Sequence, residues 1–136
     1  MEEQMSLFPE AEDRRPPQSV TWNGWHGCNP CSSGCLHCYM MRRDKEYGKD
    51  PTKVHKTANF NLPVRRYRSG EHKGLYKIPS GSTIFTSFTS DFFHPAADEW
   101  RAEAWAMMRE RSDCHFFMVT KRPERIAAAL PADWGV

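Results

Sequence analysis

The chain has 136 residues, of which 39% are hydrophobic and 12% aromatic, so it can bury the core of one domain and is not expected to be disordered. No apolar run approaches the ~18 residues that a membrane-spanning helix needs, so we expect no membrane partner. The acidic start MEEQMSLFPEAEDRR lacks the basic and apolar segments of a signal peptide, which predicts a cytoplasmic protein with reduced thiols.

The formal net charge is only +2, yet the charge is unevenly distributed, because residues 42–77 contain eleven Lys and Arg against four acidic residues. Such a basic segment can approach phosphates, which makes a nucleic acid one candidate partner. Its basic residues form no helical stripe, so a solvated loop is at least as good an interpretation.

Residues 1–18 are predicted to form a flexible leader that ends near the breaker pair Pro16–Pro17, which leaves residues 19–136 as the folded domain. A first strand is predicted at Val20–Trp25, directly before a cysteine-rich segment. Residues 44–82 are polar, with glycine and proline throughout, and are predicted to be long connections with one short helix near their start.

The second half of the chain has clearer periodicity. The β-branched and aromatic residues of Ser82–Phe88 predict a strand. A helix with one buried face is predicted from near Pro95, since apolar residues recur there at helical spacing, at Trp100, Ala104, Met107 and Met108. The apolar run Cys114–Thr120 predicts a buried strand of a parallel sheet, and a second helix is predicted from Pro123 to just before Pro131.

This order of strand, helix, strand and helix predicts parallel strands joined by a right-handed crossover. A closed barrel takes ~250 residues, so the predicted fold class is α/β, a partial (β/α) TIM-type barrel that forms the N-terminal portion of a complete one. In such folds, chemistry collects where strands end and helices begin. The cysteine-rich segment, residues 89–94 and residues 120–122 all follow predicted strands, so we expect them to meet.

The cysteine-rich segment HGCNPCSSGCLHCYMMRR, residues 26–43, contains four cysteines. Cys31, Cys35 and Cys38 have the spacing CxxxCxxC, and Cys28 provides an alternative first cysteine. Three thiolates close together suit an iron–sulfur cluster, because each iron prefers tetrahedral sulfur. Three protein ligands would leave one iron open for a small molecule, whereas a fourth thiolate would close the site.

The CxxxCxxC motif with His37 before its last cysteine resembles the signature of radical S-adenosylmethionine (SAM) enzymes. That resemblance implies a 4Fe–4S cluster on three cysteines, SAM on the open iron, and an electron donor as partner. Reductive cleavage of SAM would give a 5′-deoxyadenosyl radical that abstracts hydrogen from a substrate. The implied protein is an enzyme or a truncated piece of one, and the basic segment makes a nucleic acid or nucleotide the first candidate substrate.

Four blocks, TWNGWHGC, GCLHCYM, FTSDFFHPAADEW and HFFMVTKRPER, are similar to an uncharacterised, phage-associated bacterial family with a three-cysteine motif and a radical-SAM-like barrel. The blocks occur in the expected order, and the similarity covers residues 20–131. It implies that the first cluster ligand is Cys28 and that Cys31 is an extra thiol, whereas the CxxxCxxC spacing favours Cys31, so both stay open. Members of that family are longer, which implies that later strands of the barrel are missing here.

Asp91 and Lys121 are the candidate catalytic residues, because each directly follows a predicted strand end. His94 and Ser90 from the same loop as Asp91, together with Tyr39 after the last cysteine, are candidate contacts to SAM, as is His37. Three of these residues have a structural alternative. Asp91 or His94 can cap the following helix, and Tyr39 can simply pack.

Lys121 and Arg122 can each pair with a carboxylate or phosphate, and the structural alternative for both is an ion pair with Glu124 or a neighbouring helix. The alternative is favoured for Arg122, and the functional role for Lys121. Trp22 and Asn23 are expected to hold the cysteine-rich segment in place by packing and hydrogen bonding. Cys114 lies at the N-terminal end of its strand, so it is predicted to be a small core residue.

A zinc site is the alternative for the four thiols, since Cys28 with Cys31 and Cys35 with Cys38 form two CxxC pairs. Only three residues separate the pairs, fewer than the ~12–20 that are usual in zinc ribbons and fingers, which favours the cluster. The alternative function is therefore a non-enzymatic zinc-binding module that contacts nucleic acid through residues 42–77.

Overall fold

The computed structural model describes residues 13–29 and 38–134, which form a mixed α/β fold. The strands are β1 (Ser19–Trp22), β2 (Trp25–His26), β3 (His55–Lys56), β4 (Thr83–Thr86) and β5 (His115–Met118). The α-helices are α1 (Tyr39–Glu46), α2 (Asp98–Glu110) and α3 (Ile126–Ala129). Short 3-10 helices occupy Leu62–Val64, Pro95–Ala97 and Pro123–Arg125.

The central sheet consists of three parallel strands in the order β1-β4-β5. Ser19 lies opposite Thr83 in the first pair, and Thr83 lies opposite His115 in the second. The predicted parallel pairing of β4 with β5 is confirmed. The three strands follow one another across the sheet in chain order, as successive βα units do. The described residues contain these three parallel strands, so closure into a barrel stays a prediction.

The prediction of one strand over Val20–Trp25 is wrong. Strand β1 ends at Trp22, and Trp25 belongs to the separate strand β2. The chain leaves the sheet at Asn23, whose side-chain oxygen accepts the backbone N–H groups of Phe88 at 2.8 Å and Thr89 at 3.2 Å. The residues that follow form β2, which pairs antiparallel with β3 in a separate two-stranded sheet. Asn23 thereby ties the end of β1 to the loop after β4.

The central sheet has one covered and one uncovered face, since successive side chains of a strand point to opposite faces. The covered face presents Trp22 and Ile84, which are buried in the core with residues of α2. On the other face Phe117 is 52% exposed and its ring lies 5.8 Å from that of Phe85. Phe88, just beyond β4, extends this aromatic cluster, with its ring 5.7 Å from Phe85. The described residues leave this apolar face open to solvent.

Two buried tryptophans, each 1% exposed, hold the segment between β1 and β2 against the core. The indole N–H of Trp22 donates to the carbonyl of Phe60 at 3.0 Å, and that of Trp25 donates to the carbonyl of Asp91 at 3.1 Å. Buried aromatic rings contribute large contact areas, and their N–H groups need a partner. Trp22 packs and Asn23 hydrogen-bonds as expected, but the hydrogen bonds of their side chains go to Phe60 and to the loop after β4 and not to the described part of the cysteine-rich segment.

The helix predicted from near Pro95 begins with a 3-10 turn and continues as α2. Ala104 and Met107 are buried, while Trp100 and Met108 are half-buried against the core, so the predicted apolar face is confirmed. The second predicted helix is shorter than expected. It consists of a 3-10 turn and the four residues of α3.

Helix α1 begins at Tyr39, earlier than the short helix that was expected within residues 44–82. Its buried Asp44 lies 2.7 Å from Nε2 of His26, which fixes the helix against β2. The cysteine-rich segment therefore ends in a helix that packs on β2.

The last residues of the predicted leader are bonded to the body of the protein. The guanidinium of Arg15 donates to Asp13, whose carboxylate also accepts the backbone N–H of Ser80 at 3.1 Å. The hydrogen bond from Arg15 holds the pKa of Asp13 well below its usual range. Residues 1–12 of the leader lie outside the described residues. Among the helices that are described, none has the length and apolar character to cross a bilayer.

Candidate functional site

A cavity of about 370 Å³ lies beyond the C-terminal ends of β4 and β5, and two of the four clustered cysteines, Cys28 and Cys38, line it. The predicted site residues that join them are Tyr39, Ser90, Asp91 and Lys121. Cys31, Cys35 and His37 lie outside the described residues. The three segments expected to meet at the strand ends therefore each contribute to one cavity.

Gly27 fixes the backbone immediately before Cys28. Its φ is +101°, and a Cβ atom built there would lie 2.6 Å from the carbonyl oxygen of Lys53, so only glycine fits. The Gly27 N–H donates to Thr89 O at 2.9 Å, and the Ser90 hydroxyl donates to Gly27 O at 2.5 Å. Ser90 thus anchors the cysteine-bearing loop to the loop after β4.

Cys38 is held by its position at the start of α1. Its carbonyl accepts the backbone N–H of Arg42 at 3.2 Å, which makes it the residue at the helix N-terminus. The next residue, Tyr39, is 52% exposed and donates its hydroxyl to the carbonyl of Phe88 at 3.1 Å. The tyrosine ring therefore bridges α1 and the loop after β4 at the rim of the cavity.

Asp91 is buried, and both of its carboxylate oxygens are engaged. Oδ1 accepts the N–H of Phe93 at 2.9 Å and the hydroxyl of Thr120 at 2.6 Å, while Oδ2 accepts the N–H of Lys121 at 2.9 Å. Arg122 Nη1 lies 3.4 Å from Oδ2. This carboxylate joins the loop after β4 to the loop after β5, which gives it a structural role whatever its chemical one.

Arg122 contacts the cysteine loop, as expected for residues 120–122, and its bonds to Cys28 and Asn29 are the details that the sequence did not predict. Its side chain is buried, with Nη1 3.4 Å from Cys28 Sγ and Nη2 2.9 Å from the carbonyl of Asn29. It also pairs with the carboxylate of Asp91, which agrees with the expected pairing with a carboxylate and differs from the alternative of Glu124. The sequence signal that could have identified this contact is the position of Arg122 just after the predicted strand Cys114–Thr120. The backbone N–H of Arg122 donates to the hydroxyl of Thr120.

His94 is not among the residues that line the cavity. It caps the 3-10 helix Pro95–Ala97, as its structural alternative predicted. Nδ1 accepts the N–H of Ala96 at 3.0 Å, which requires a neutral ring whose Nε2–H donates to Asn29 Oδ1 at 2.9 Å. Burial lowers the pKa of His94 below its ordinary value, and nearby cations lower it further. The charged groups around it are Arg122, Asp91, Arg125 and Arg101.

Ser87, which also lines the cavity, was not singled out from the sequence. It is buried with φ of 59°, the one non-glycine residue among those described with a positive φ. Its N–H donates to the carbonyl of Trp22 at 2.9 Å, which continues the β1–β4 pairing by one bond. Positive φ at such a residue costs free energy and clusters at functional sites, but no sequence pattern signals it.

Cys114 lies apart from the other cysteines and is 7% exposed, which confirms its predicted place in the core. Burial raises the pKa of its thiol, and the guanidinium of Arg111 donates to its sulfur at 3.2 Å. It therefore serves as a matched control for experiments on the clustered thiols.

Several residues of the basic segment 42–77 make contacts within the chain. Arg66 stacks on the ring of Tyr76, with its Cζ atom 3.9 Å from the ring centroid, and Arg65 donates to the carbonyl of Ala58. Lys56 lies 4.2 Å above the ring of Phe60. These side chains order the long connection, and binding of nucleic acid by the segment stays a prediction.

The donor chemistry of the cavity fits a thiophilic metal, because two cysteines, one in a loop and one at a helix start, line it and an N–H donor lies beside the Cys28 sulfur. Among residues 13–29 and 38–134, no group of three cysteine, histidine or acidic side chains is close enough to hold a metal ion. The described residues thus contribute two thiols of the predicted set.

Fold and site together define a mixed α/β protein with a small parallel sheet and a thiol-lined cavity at its C-terminal edge. The family described as "Protein of unknown function (DUF5131)" matches residues 18–135, and the chain belongs to this family. Comparison with curated proteins and with solved structures gave no match.

Proposed function

We propose that this chain is a radical SAM-type iron–sulfur protein, or the N-terminal part of one. The observation that carries the proposal is that Cys28 and Cys38, in a loop and at a helix start, line one cavity at the C-terminal edge of a parallel sheet. Cys35, between them in sequence, would supply a further thiolate. Three thiolates would hold a 4Fe–4S cluster and leave one iron open for SAM.

Held by these thiols, such a cluster would supply the one-electron reduction that cleaves a C–S bond of SAM, with the electron coming from an external donor. The contribution of this chain is to position the thiols. Gly27 and Ser90 fix the loop before Cys28, and α1 fixes Cys38. The zinc alternative would use the same thiols but needs all four to be brought together.

The sheet supports the barrel part of the proposal. Its strands follow in chain order, and its uncovered face carries Phe85 and Phe117 next to the cavity-lining residues Phe88 and Val119. An exposed apolar face of this kind is what the inner wall of an open barrel presents before further strands cover it. Phe88 belongs to both, since it lines the cavity and its ring contacts Phe85 of the open face, as a residue between the interior and the mouth of a barrel would do.

The other predicted residues take distinct roles in this proposal. Lys121 lines the cavity as a cation suited to a carboxylate or phosphate, and the exposed ring of Tyr39 is suited to stacking on a base. Asp91 holds the two loops together, so we assign it a positioning role in place of the predicted catalytic one. His94 supports the cysteine loop through Asn29. The substrate class stays nucleic acid or nucleotide, from the charge of residues 42–77.

Metal analysis after anaerobic purification and reconstitution tests the proposal. The wild-type chain should be brown with about four irons per chain, whereas a zinc module would be colourless with one zinc. Cys35→Ala should lose the iron, and Cys114→Ala, which removes the buried thiol outside the site, should keep it. Full iron in Cys35→Ala would refute the assignment. A comparison of Cys28→Ala with Cys31→Ala identifies the remaining ligand.

A further inference from the structure

The guanidinium of Arg122 lies against the cysteine loop although 94 residues separate it from Cys28. Nη1 is 3.4 Å from the Cys28 sulfur, and Nη2 donates to the carbonyl of the next residue, Asn29, at 2.9 Å. The flat fork of the guanidinium therefore holds the sulfur and the backbone of the same short segment. A lysine, with one charged nitrogen, could not reproduce both contacts in this geometry.

Asp91 keeps this guanidinium in place. Its Oδ2 lies 3.4 Å from Nη1 of Arg122, and its other contacts are to the backbone or hydroxyl groups of the loops after β4 and β5. Both side chains are less than 10% exposed, and an unpaired buried charge would be strongly destabilising. The two residues thus form a buried pair that directs a guanidinium N–H toward the thiol.

We propose that Arg122 is the positioning residue for the Cys28 sulfur and that its N–H donates to that sulfur when Cys28 binds the cluster. The inference rests on the proposed function and extends it, because it assigns to Arg122 an influence on the reduction potential of the cluster. An N–H donor to a ligand sulfur stabilises the more negative, reduced cluster, so it raises the reduction potential of the cluster. Outer contacts of this kind also slow the loss of metal.

The test uses the full chain, reconstituted anaerobically, with Arg122→Gln as the variant and Arg125→Gln as its matched control. Arg125 is in the same connection but donates to Asp98 at 2.7 Å. Arg122→Gln should shift the midpoint potential of the cluster to a more negative value and should release iron to a chelator about tenfold faster. Arg125→Gln should match wild type in both measurements.

A measurement on the wild-type chain does not depend on how the variant folds. Protein labelled with ¹⁵N-arginine should show a weak ¹⁵N hyperfine coupling in pulsed EPR spectra of the reduced cluster. Absence of that coupling, or a midpoint potential unchanged in Arg122→Gln at full iron content, would overturn the inference. Failure of the wild-type chain to bind any cluster would instead refute the proposed function, so the two failures are distinguishable.

Discussion

Gly27→Ala is the substitution that most directly tests how the fold positions the cysteine loop. The glycine has φ of +101°, and the new Cβ would lie 2.6 Å from Lys53 O and 3.0 Å from the Lys53 carbonyl carbon. Both neighbours are backbone atoms, so neither can rotate away. The residue also joins the loop after β4 through its own N–H and carbonyl groups, at Thr89 and Ser90.

The expected cost has two parts. Holding an L-residue in a left-handed conformation costs about 1–2 kcal/mol, and forcing an atom into a packed space adds about 1–3 kcal/mol. The free energy of unfolding should therefore fall by about 2–5 kcal/mol. Because the backbone must shift next to Cys28, the variant should also bind less metal than wild type after reconstitution.

Gly70→Ala provides the control, since Gly70 has φ of +85° and a Cβ atom added there would have no heavy atom within 4 Å. It should cost only the conformational part, about 1–2 kcal/mol, with metal content unchanged. Urea unfolding of the metal-free proteins gives both values. Equal destabilisation by the two substitutions would refute the account of a loop locked against Lys53.

Two further predictions concern the second layer of the site. Thr120→Val removes the hydroxyl that donates to Asp91 and accepts the backbone N–H of Arg122. Urea unfolding should show that the free energy of unfolding falls by about 1–3 kcal/mol. A fall of less than about 0.5 kcal/mol would contradict the assigned contacts. The folded-state pKa of His94 lies below its unfolded value, so the unfolded chain binds the extra proton and stability falls as the pH drops below about 6.5. The melting temperature of His94→Gln should therefore fall less than that of wild type between about pH 7.5 and about pH 5.5. An equal fall would show that His94 does not cause the loss of stability in acid.

The elements that the sequence predicted well are those that local pattern determines. The apolar runs of β4 and β5 and the helical spacing of Trp100 and Met107 each specify an element without reference to distant residues. The core position of Cys114 followed from its place at the start of a strand. The meeting of three segments at one cavity followed from the topology of parallel strands.

The features that were missed depend on contacts between distant parts of the chain. The end of β1 is set by Asn23, which accepts N–H groups about 65 residues away. For Arg122 the sequence offered an unspecified carboxylate or the nearby Glu124, whereas the fold brings Asp91 and Cys28 to it. Burial decides such pairings, and burial is a property of the assembled structure.

Mössbauer spectroscopy of the ⁵⁷Fe-reconstituted wild-type chain, recorded with and without SAM, tests the central claim most directly. The account predicts the signature of a 4Fe–4S cluster in which one iron of the four changes its parameters when SAM is added. A spectrum without such a cluster, or one in which all four irons are indifferent to SAM, would contradict it.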